Sequence, residues 1–271
     1  MPELPEVETT RRGIEPLLVG RRVRALVVRN RRLRWPIPAT LGRVLPGQRI
    51  QTVTRRAKYL LLSLDRGTLI IHLGMSGSLR VLPAATAPDK FDHVDMVLED
   101  GHCLRLRDPR RFGALLWTTR DPGQHKLLKH IGLEPFDPKC TGDYLYRAAH
   151  KRTVAIRDLL LNGRIIAGIG NIYANEALFS AGIRPQLAAG RVSRARCTQL
   201  VAAVRATLTQ AIDAGGTTLR DFQRADGKPG YFQQKLRVYG RAARPCPRCR
   251  QPIRALSLGQ RRVFYCPKCQ K

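Results

Sequence analysis

The sequence predicts an α+β multidomain chain: an N-terminal helix plus antiparallel β-sandwich, a helical domain, and a C-terminal zinc-binding hairpin. Three observations predict it. Short apolar runs between turn signals fill residues 23–118, apolar residues recur at helical spacing between 154 and 212, and two C-x2-C knuckles stand near the end. The 271 residues are ample for such a division. The expected boundaries are 1–134 for the helix and sandwich, 135–150 for a linker, 151–235 for the helical domain and 236–271 for the zinc hairpin.

The opening helix follows from Met1-Pro2-Glu3-Leu4-Pro5-Glu6. Pro5 suits a first helical position, Glu6 and Glu8 suit the positive first turn, and Val7, Ile14, Leu17 and Leu18 supply an apolar stripe. An initiator Met followed by Pro is usually trimmed, which exposes Pro2 as a secondary amine. An α-amino group titrates at roughly 7.7–8.0, so much of it is free base near neutrality and can attack an electrophilic carbon to form an iminium. The helix N-terminus beside it disfavours protonation further, and Glu3 follows at once as a proton donor. Taken alone, such a start more often is an ordinary amphipathic helix.

The strands come next: Val23–Val28, Arg49–Thr54, Tyr59–Leu64, Thr68–Leu73, Ser78–Leu82, Val94–Glu99, His102–Arg107 and Gly113–Trp117. Asp65-Arg66-Gly67 and Asp100-Gly101 supply tight turns, and regular short strands with such turns suggest an antiparallel sandwich. Three spots stand out. Lys58 sits at the mouth of an apolar strand, where a solvated lysine is the plain explanation. Two glycines bracket Met75 in His72-Leu73-Gly74-Met75-Ser76-Gly77, and Asp108-Pro109-Arg110-Arg111-Phe112-Gly113 reads in isolation as a Pro turn flanked by charge.

Prolines 122, 135 and 138 mark a loop-rich stretch, the candidate linker. Helices are expected over Val154–Leu161, over Ile172–Ala181, and where Leu200, Val204, Leu208 and Ile212 repeat, with Ser193 as cap and Gly215-Gly216 as stop. Gly168-Ile169-Gly170-Asn171 joins the first two. It fits either a plain connector between helices or a turn whose backbone approaches a phosphate. Residues 215–232 are Gly- and Pro-rich and lack periodicity, as in a loop.

Cys246-Pro-Arg-Cys249 and Cys266-Pro-Lys-Cys269 lie 16 residues apart, the spacing of a four-cysteine zinc site. Disulfides or a redox pair would suit an oxidising compartment or a thioredoxin-like context better. Four protein ligands leave no open position, so one zinc ion of structural type is expected, holding a hairpin with Gln260, Arg261 and Arg262. Cys103, Cys140 and Cys197 have no partner spacing and read as buried or incidental thiols.

Charge narrows the function classes. Lys and Arg number 49 against 20 acidic residues, a formal charge of +29, and 39 of the 49 are arginine. That balance, spread along the chain, points to a polyanion, and arginine suits bidentate phosphate and guanine contacts. No apolar run reaches the roughly 20 residues a membrane helix needs, and the acidic, Pro-rich start is no signal peptide. A cytoplasmic protein with no membrane partner is expected.

Residues 1–9, the Met75/Arg110/Phe112 set, the Gly170-Asn171 turn and the zinc knuckles occur in the order seen in bacterial formamidopyrimidine-DNA glycosylases, and the sequence resembles that family from Pro2 to Lys271. The resemblance implies a bifunctional DNA glycosylase and abasic-site lyase of base-excision repair that removes oxidised purines such as 8-oxoguanine and formamidopyrimidines. The helical part then corresponds to a helix-two-turn-helix domain carrying a lesion-capping loop. Catalytic positions match Pro2, Glu3, Lys58 and Arg261, with Glu6 in support. DNA-contacting positions match His72, Met75, Arg110, Phe112, Arg152 and Asn171, and metal positions match Cys246, Cys249, Cys266 and Cys269. The partner is double-stranded DNA with oxidised purines or abasic sites, bound by a monomer at the bacterial nucleoid. Phe91 departs from the family's DNA-contacting histidine, and Arg152 and Arg157 stand where relatives often have lysine. Leu4, the Arg110/Phe112 pair and the long loop favour the purine enzyme over the related endonuclease VIII.

Overall fold

A computed structural model describes residues 2–216 and 236–271. Expectations placed on Met1 and on 217–235, the lesion-capping loop included, lie outside the described residues. The chain forms two compact units, one built on residues up to Lys129 with 214–216 added, the other on His130–Asp213 with residues 236 onward.

The first unit opens with helix α1 (Leu4–Leu18). Glu3 caps it, and the Glu6 carboxylate accepts the Glu3 amide at 2.8 Å, satisfying a donor the helix itself leaves unpaired. Strands β1 (Val23–Val28), β2 (Ile50–Arg56), β3 (Tyr59–Leu64), β4 (Gly67–His72), β5 (Ser78–Pro83), β6 (Asp92–Leu98), β7 (His102–Arg107) and β8 (Ala114–Thr118) follow, with a single-turn helix α2 (Leu41–Val44) after β1. They make two four-stranded antiparallel sheets, ordered β1-β6-β7-β5 and β2-β3-β4-β8. Val7, Ile14 and Leu18 of α1 join Leu60, Leu62, Leu69 and Ile71 of one sheet and Val94, Met96, Leu104 and Leu106 of the other in one core. Leu17, expected on the apolar stripe, is 47% exposed, because the last turn of α1 rotates it off the sheet-facing side. Every residue of β6 is buried.

The second unit holds helices α3 (Gly142–Ala149), α4 (Ile156–Leu161), α5 (Asn171–Ser180) and α6 (Arg194–Asp213), then the hairpin β9 (Arg254–Leu258) and β10 (Arg261–Tyr265). Residues 172–179 of α5 are all buried, so it is the central helix of the unit. The Ser193 hydroxyl accepts the Arg196 amide at 3.3 Å at the start of α6. The segment read as linker, 135–150, instead contains α3. Thr141 caps it at 3.1 Å through the Tyr144 amide, Leu145 and Ala149 are buried one turn apart, and Gly142 lies so close to Thr198 of α6 that a Cβ would meet its hydroxyl at 2.1 Å. None of the described helices is long and apolar enough to cross a membrane.

Candidate functional site

In the first unit the candidate residues gather around the start of α1 and three loops. Pro2, Glu3 and Glu6 are buried side by side, Glu3 being 3% and Glu6 0% exposed. Gly216 packs against Glu6, where a Cβ would be in ordinary contact 3.4 Å from the Glu6 Cα, and its φ of +81° lies in the left-handed region that favours glycine. Glu8, one turn on, accepts hydrogen bonds from Arg11, Arg12 and Arg55, the last at 3.1 Å, and so ties α1 to β2. Burial alone would raise the Glu8 pKa, but these guanidinium groups outweigh it and hold the carboxyl below its usual range.

Lys58 stands in the β2–β3 turn behind Ala57, whose φ of 52° is left-handed, a strain worth about 1 kcal/mol for a residue with a Cβ. The turn pairs Arg56 with Tyr59, and Tyr59 in turn faces His72 across β3 and β4. The two ring centroids lie 4.8 Å apart with their planes tilted by 47°, and His72 Nδ1 accepts the Gly74 amide at 3.0 Å. Burial first, then the charges of Lys58 and Arg34, push the His72 pKa down to about 4. Near neutrality the ring is therefore uncharged, and the Gly74 bond assigns its remaining proton to Nε2.

The loops bearing Met75 and Arg110/Phe112 are one construction around Asp108, which is fully buried. Its carboxylate accepts the Ser76 hydroxyl at 3.0 Å and the Gly113 amide at 2.8 Å, and its carbonyl meets His93 Nε2 at 2.8 Å. Ser76 Oγ also accepts the Arg110 amide at 3.3 Å. Gly74 (φ +65°) lies against the Phe112 backbone, where a Cβ would come within 2.4 Å. Held this way, Met75 is half-buried while Phe112 is 45% exposed with the Arg110 guanidinium 5.0 Å from its ring centroid. The family resemblance offered Met75, Arg110 and Phe112 as candidates, and the sequence did not point to Asp108, Ser76 and His93, whose bonds hold these loops. The available signal was an Asp directly before the Pro turn, a residue type that satisfies turn amides. Phe91, set aside in the sequence, carries cations on its ring: Lys90 at 4.8 Å and Arg107 at 5.2 Å.

In the second unit Asn171 is the first residue of α5, preceded by Gly170 in extended conformation. Its Nδ2 donates to the Arg262 carbonyl at 2.9 Å and its Oδ1 accepts from Arg157 at 2.8 Å. Further along α5, Asn175 accepts the Phe264 amide at 2.7 Å, and the Glu176 carboxylate accepts three consecutive amides, Arg237, Val238 and Tyr239, at 2.8–3.0 Å. At its far end Arg248, inside the first cysteine knuckle, donates to the Phe179 and Ser180 carbonyls and lies 4.6 Å from the Phe179 ring centroid. The cysteine module thus grips α5 along its length. Arg261 opens β10 and is exposed, as is Arg152 ahead of α4.

The four cysteine sulfurs lie within 4.8 Å of one another. Cys246 and Cys269 are 3.9 Å apart and Cys249 and Cys266 3.4 Å, far beyond the roughly 2.05 Å of a disulfide. Tetrahedral zinc at about 2.3 Å from each thiolate spaces its sulfurs about 3.8 Å apart, so the residues fit one structural zinc. The Arg248 and Cys269 amides each point at a ligand sulfur at 3.4 Å, as thiolates require. Cys103, Cys140 and Cys197 are buried, and burial raises the Cys197 thiol to about 11.

Comparison with known proteins finds three family models along the chain. Residues 1–115 match the formamidopyrimidine-DNA glycosylase N-terminal domain, 131–223 the H2TH domain of the same enzymes, and 244–271 the zinc finger found in FPG and IleRS. The formamidopyrimidine-DNA glycosylase of Alkalilimnicola ehrlichii is 56% identical over the full length of both chains. The chain belongs to the formamidopyrimidine-DNA glycosylase family. Among solved relatives, MutM (Fpg) of Thermus thermophilus is 37% identical with a TM-score of 0.88, covering 99% of this chain and 98% of that one. A Lactococcus lactis Fpg mutant in complex with a Fapy-dG containing DNA is 32% identical with a TM-score of 0.93, covering both chains fully. Family membership brings the enzyme class with it: a DNA glycosylase that is also an abasic-site lyase, with a zinc finger.

Proposed function

We propose that this enzyme excises oxidised purines, 8-oxoguanine and formamidopyrimidines, from double-stranded DNA and then cuts the strand at the abasic site, using Pro2 as nucleophile. The observation that carries this reading is the burial of Pro2 immediately ahead of α1, beside Glu3 and Glu6. With Met1 removed, the Pro2 nitrogen attacks C1′ of the damaged nucleotide and the base leaves with the bonding pair. The proton of the attacking Pro2 nitrogen passes to the departing base, which frees its lone pair, and Glu3 protonates the sugar ring oxygen as the C1′–O4′ bond opens, which leaves an iminium between Pro2 and C1′. The iminium is an electron sink that acidifies the C2′ proton, so its loss expels the 3′ phosphate, and a second elimination expels the 5′ phosphate. Lys58 assists the proton transfers of the first stage and Arg261 those of the last, while Glu6 orients the amine.

A base reaches such a nucleophile only when flipped from the stack, at a cost of a few kcal/mol. Met75 and Phe112 fill the space it vacates and Arg110 hydrogen-bonds the orphaned cytosine. His72, Arg152 and Asn171 contact the backbone, so binding is independent of sequence and strongly salt-dependent. The enzyme acts as a monomer, on the DNA of the bacterial cytoplasm and its nucleoid. Residues 1–134, 151–235 and 236–271 serve respectively as catalytic, DNA-binding and zinc-finger parts.

Borohydride trapping on a duplex with 8-oxoguanine opposite cytosine, followed by peptide mapping, tests the reading. An adduct on Pro2 is expected. Duplex binding without an adduct by protein verified to lack Met1 would leave only a DNA-binding module.

A further inference from the structure

Arg157 is only 2% exposed, and none of the roles above uses it. A buried guanidinium is costly unless acceptors meet it. Its Nη2 donates to Asn171 Oδ1 at 2.8 Å, and its Nη1 reaches the Leu258 carbonyl at 3.5 Å and the Asp158 carboxylate. Its Nε is buried with no acceptor among the described residues, so the two terminal nitrogens carry its bonding there.

A guanidinium offers donors and no acceptor, which decides how the Asn171 carboxamide lies. Oδ1 must face Arg157, where Asn175 Nδ2 also approaches it at 3.4 Å. The amide nitrogen is then turned away and gives one proton to the Arg262 carbonyl at 2.9 Å. Its second proton has no acceptor among the described residues, on a half-exposed side chain. Meanwhile Leu258, the second acceptor of Arg157, is the residue paired with Arg261 across the hairpin.

Building on the reading of Asn171 as a phosphate-binding residue, we propose that Arg157 is its positioning residue. Arg157 locks the carboxamide with the nitrogen outward and anchors the adjoining β9–β10 turn, so Asn171 is preorganised for a phosphate oxygen that Arg157 itself does not touch.

The test uses the full-length, zinc-loaded protein and a duplex carrying a tetrahydrofuran abasic analogue, with affinity measured across a salt series. Arg157→Met is expected to weaken binding roughly five- to tenfold, as Asn171→Ala does, and the double variant no further than about twofold beyond either. Arg157→Lys recovers part of the loss, because an ammonium can still face Oδ1. The salt slope stays at its wild-type value in Arg157→Met. Multiplying losses in the double variant would overturn the proposal. So would a slope reduced by about 0.9, the signature of a lost phosphate contact. If Arg157→Met fails to fold, Arg157→Lys bears the test through the side-chain amide resonances of Asn171. Their displacement with the backbone resonances of α5 in place supports the proposal, and unmoved resonances overturn it. Wild-type affinity in Asn171→Ala would remove the phosphate-binding reading beneath the proposal, while the amide resonances would still report on the Arg157–Asn171 bond.

Discussion

The Glu6 carboxylate accepts the backbone amide of Glu3 at 2.8 Å, with both residues buried. One bond therefore both caps α1 and fixes the chain direction at the residue next to Pro2. Replacing Glu6 with Ala removes that acceptor from a buried N–H at the helix start, a loss of about 1–2 kcal/mol. Glu6→Gln keeps an acceptor and should retain most of the stability. Thermal unfolding of the two variants checks this, and an equal melting temperature for Glu6→Ala and wild type would show that the cap contributes nothing.

Asp108 should behave as a structural residue whose loss silences Met75, Arg110 and Phe112 together. Asp108→Ala strips the acceptor from Ser76 and Gly113 in a site without solvent, costing about 2–3 kcal/mol. The expected outcome is weaker binding to lesion-containing duplex, with a loss as large as that of a Met75/Phe112 double alanine variant. Undiminished lesion binding in Asp108→Ala would mean that the loops hold their shape without it.

The His72 pKa gives a pH prediction whose sign is fixed. Its folded value of about 4 lies below the ordinary histidine value of 6.5, so on acidification the unfolded chain takes up a proton that the folded chain refuses. The stability associated with a neutral His72 is thus complete above about 6.5 and is lost progressively as pH falls toward 4. His72→Gln, which keeps an acceptor for Gly74, should flatten this part of the profile relative to wild type. Proton NMR of the imidazole checks the premise: a midpoint near 6.5 in the folded protein would refute it.

Most strands were legible because β-branched and leucine-rich runs end at Gly, Asp or Pro turns, and Val23–Val28, Tyr59–Leu64 and His102–Arg107 have the expected bounds. Helix α3 was not, since its buried residues are Gly142, Leu145 and Ala149, of which only Leu145 is a large apolar residue. The site divided along a similar line. Cysteine spacing announces a metal by itself, whereas Met75 and Phe112 became candidates only through the family resemblance. Neither marked the work of Asp108 and Arg157, which is done through bonds to residues 32 and 14 positions away. A sequence shows residue types and local spacing, while such partners exist only once strands and helices have packed.

Zinc removal should reach beyond the hairpin that binds it. The described cysteine module holds α5 through Asn175, Glu176 and Arg248, and Phe179 of that helix lies in the same apolar cluster as Cys246 and Cys266. Without the ion four thiols crowd one site, and burial together with their mutual hydrogen bonds raises the Cys269 thiol to about 12, so the cluster needs a cation to carry thiolate charge. Chelation or Cys266→Ser should therefore release β9 and β10 and also lower amide-exchange protection in α5, while β3 and β4 of the other unit keep theirs. Metal analysis should give one zinc per chain, with α5 protection falling in step as it is withdrawn. Full protection of α5 in verified zinc-free protein would show that the helix is held by its own packing and that the metal serves the hairpin alone.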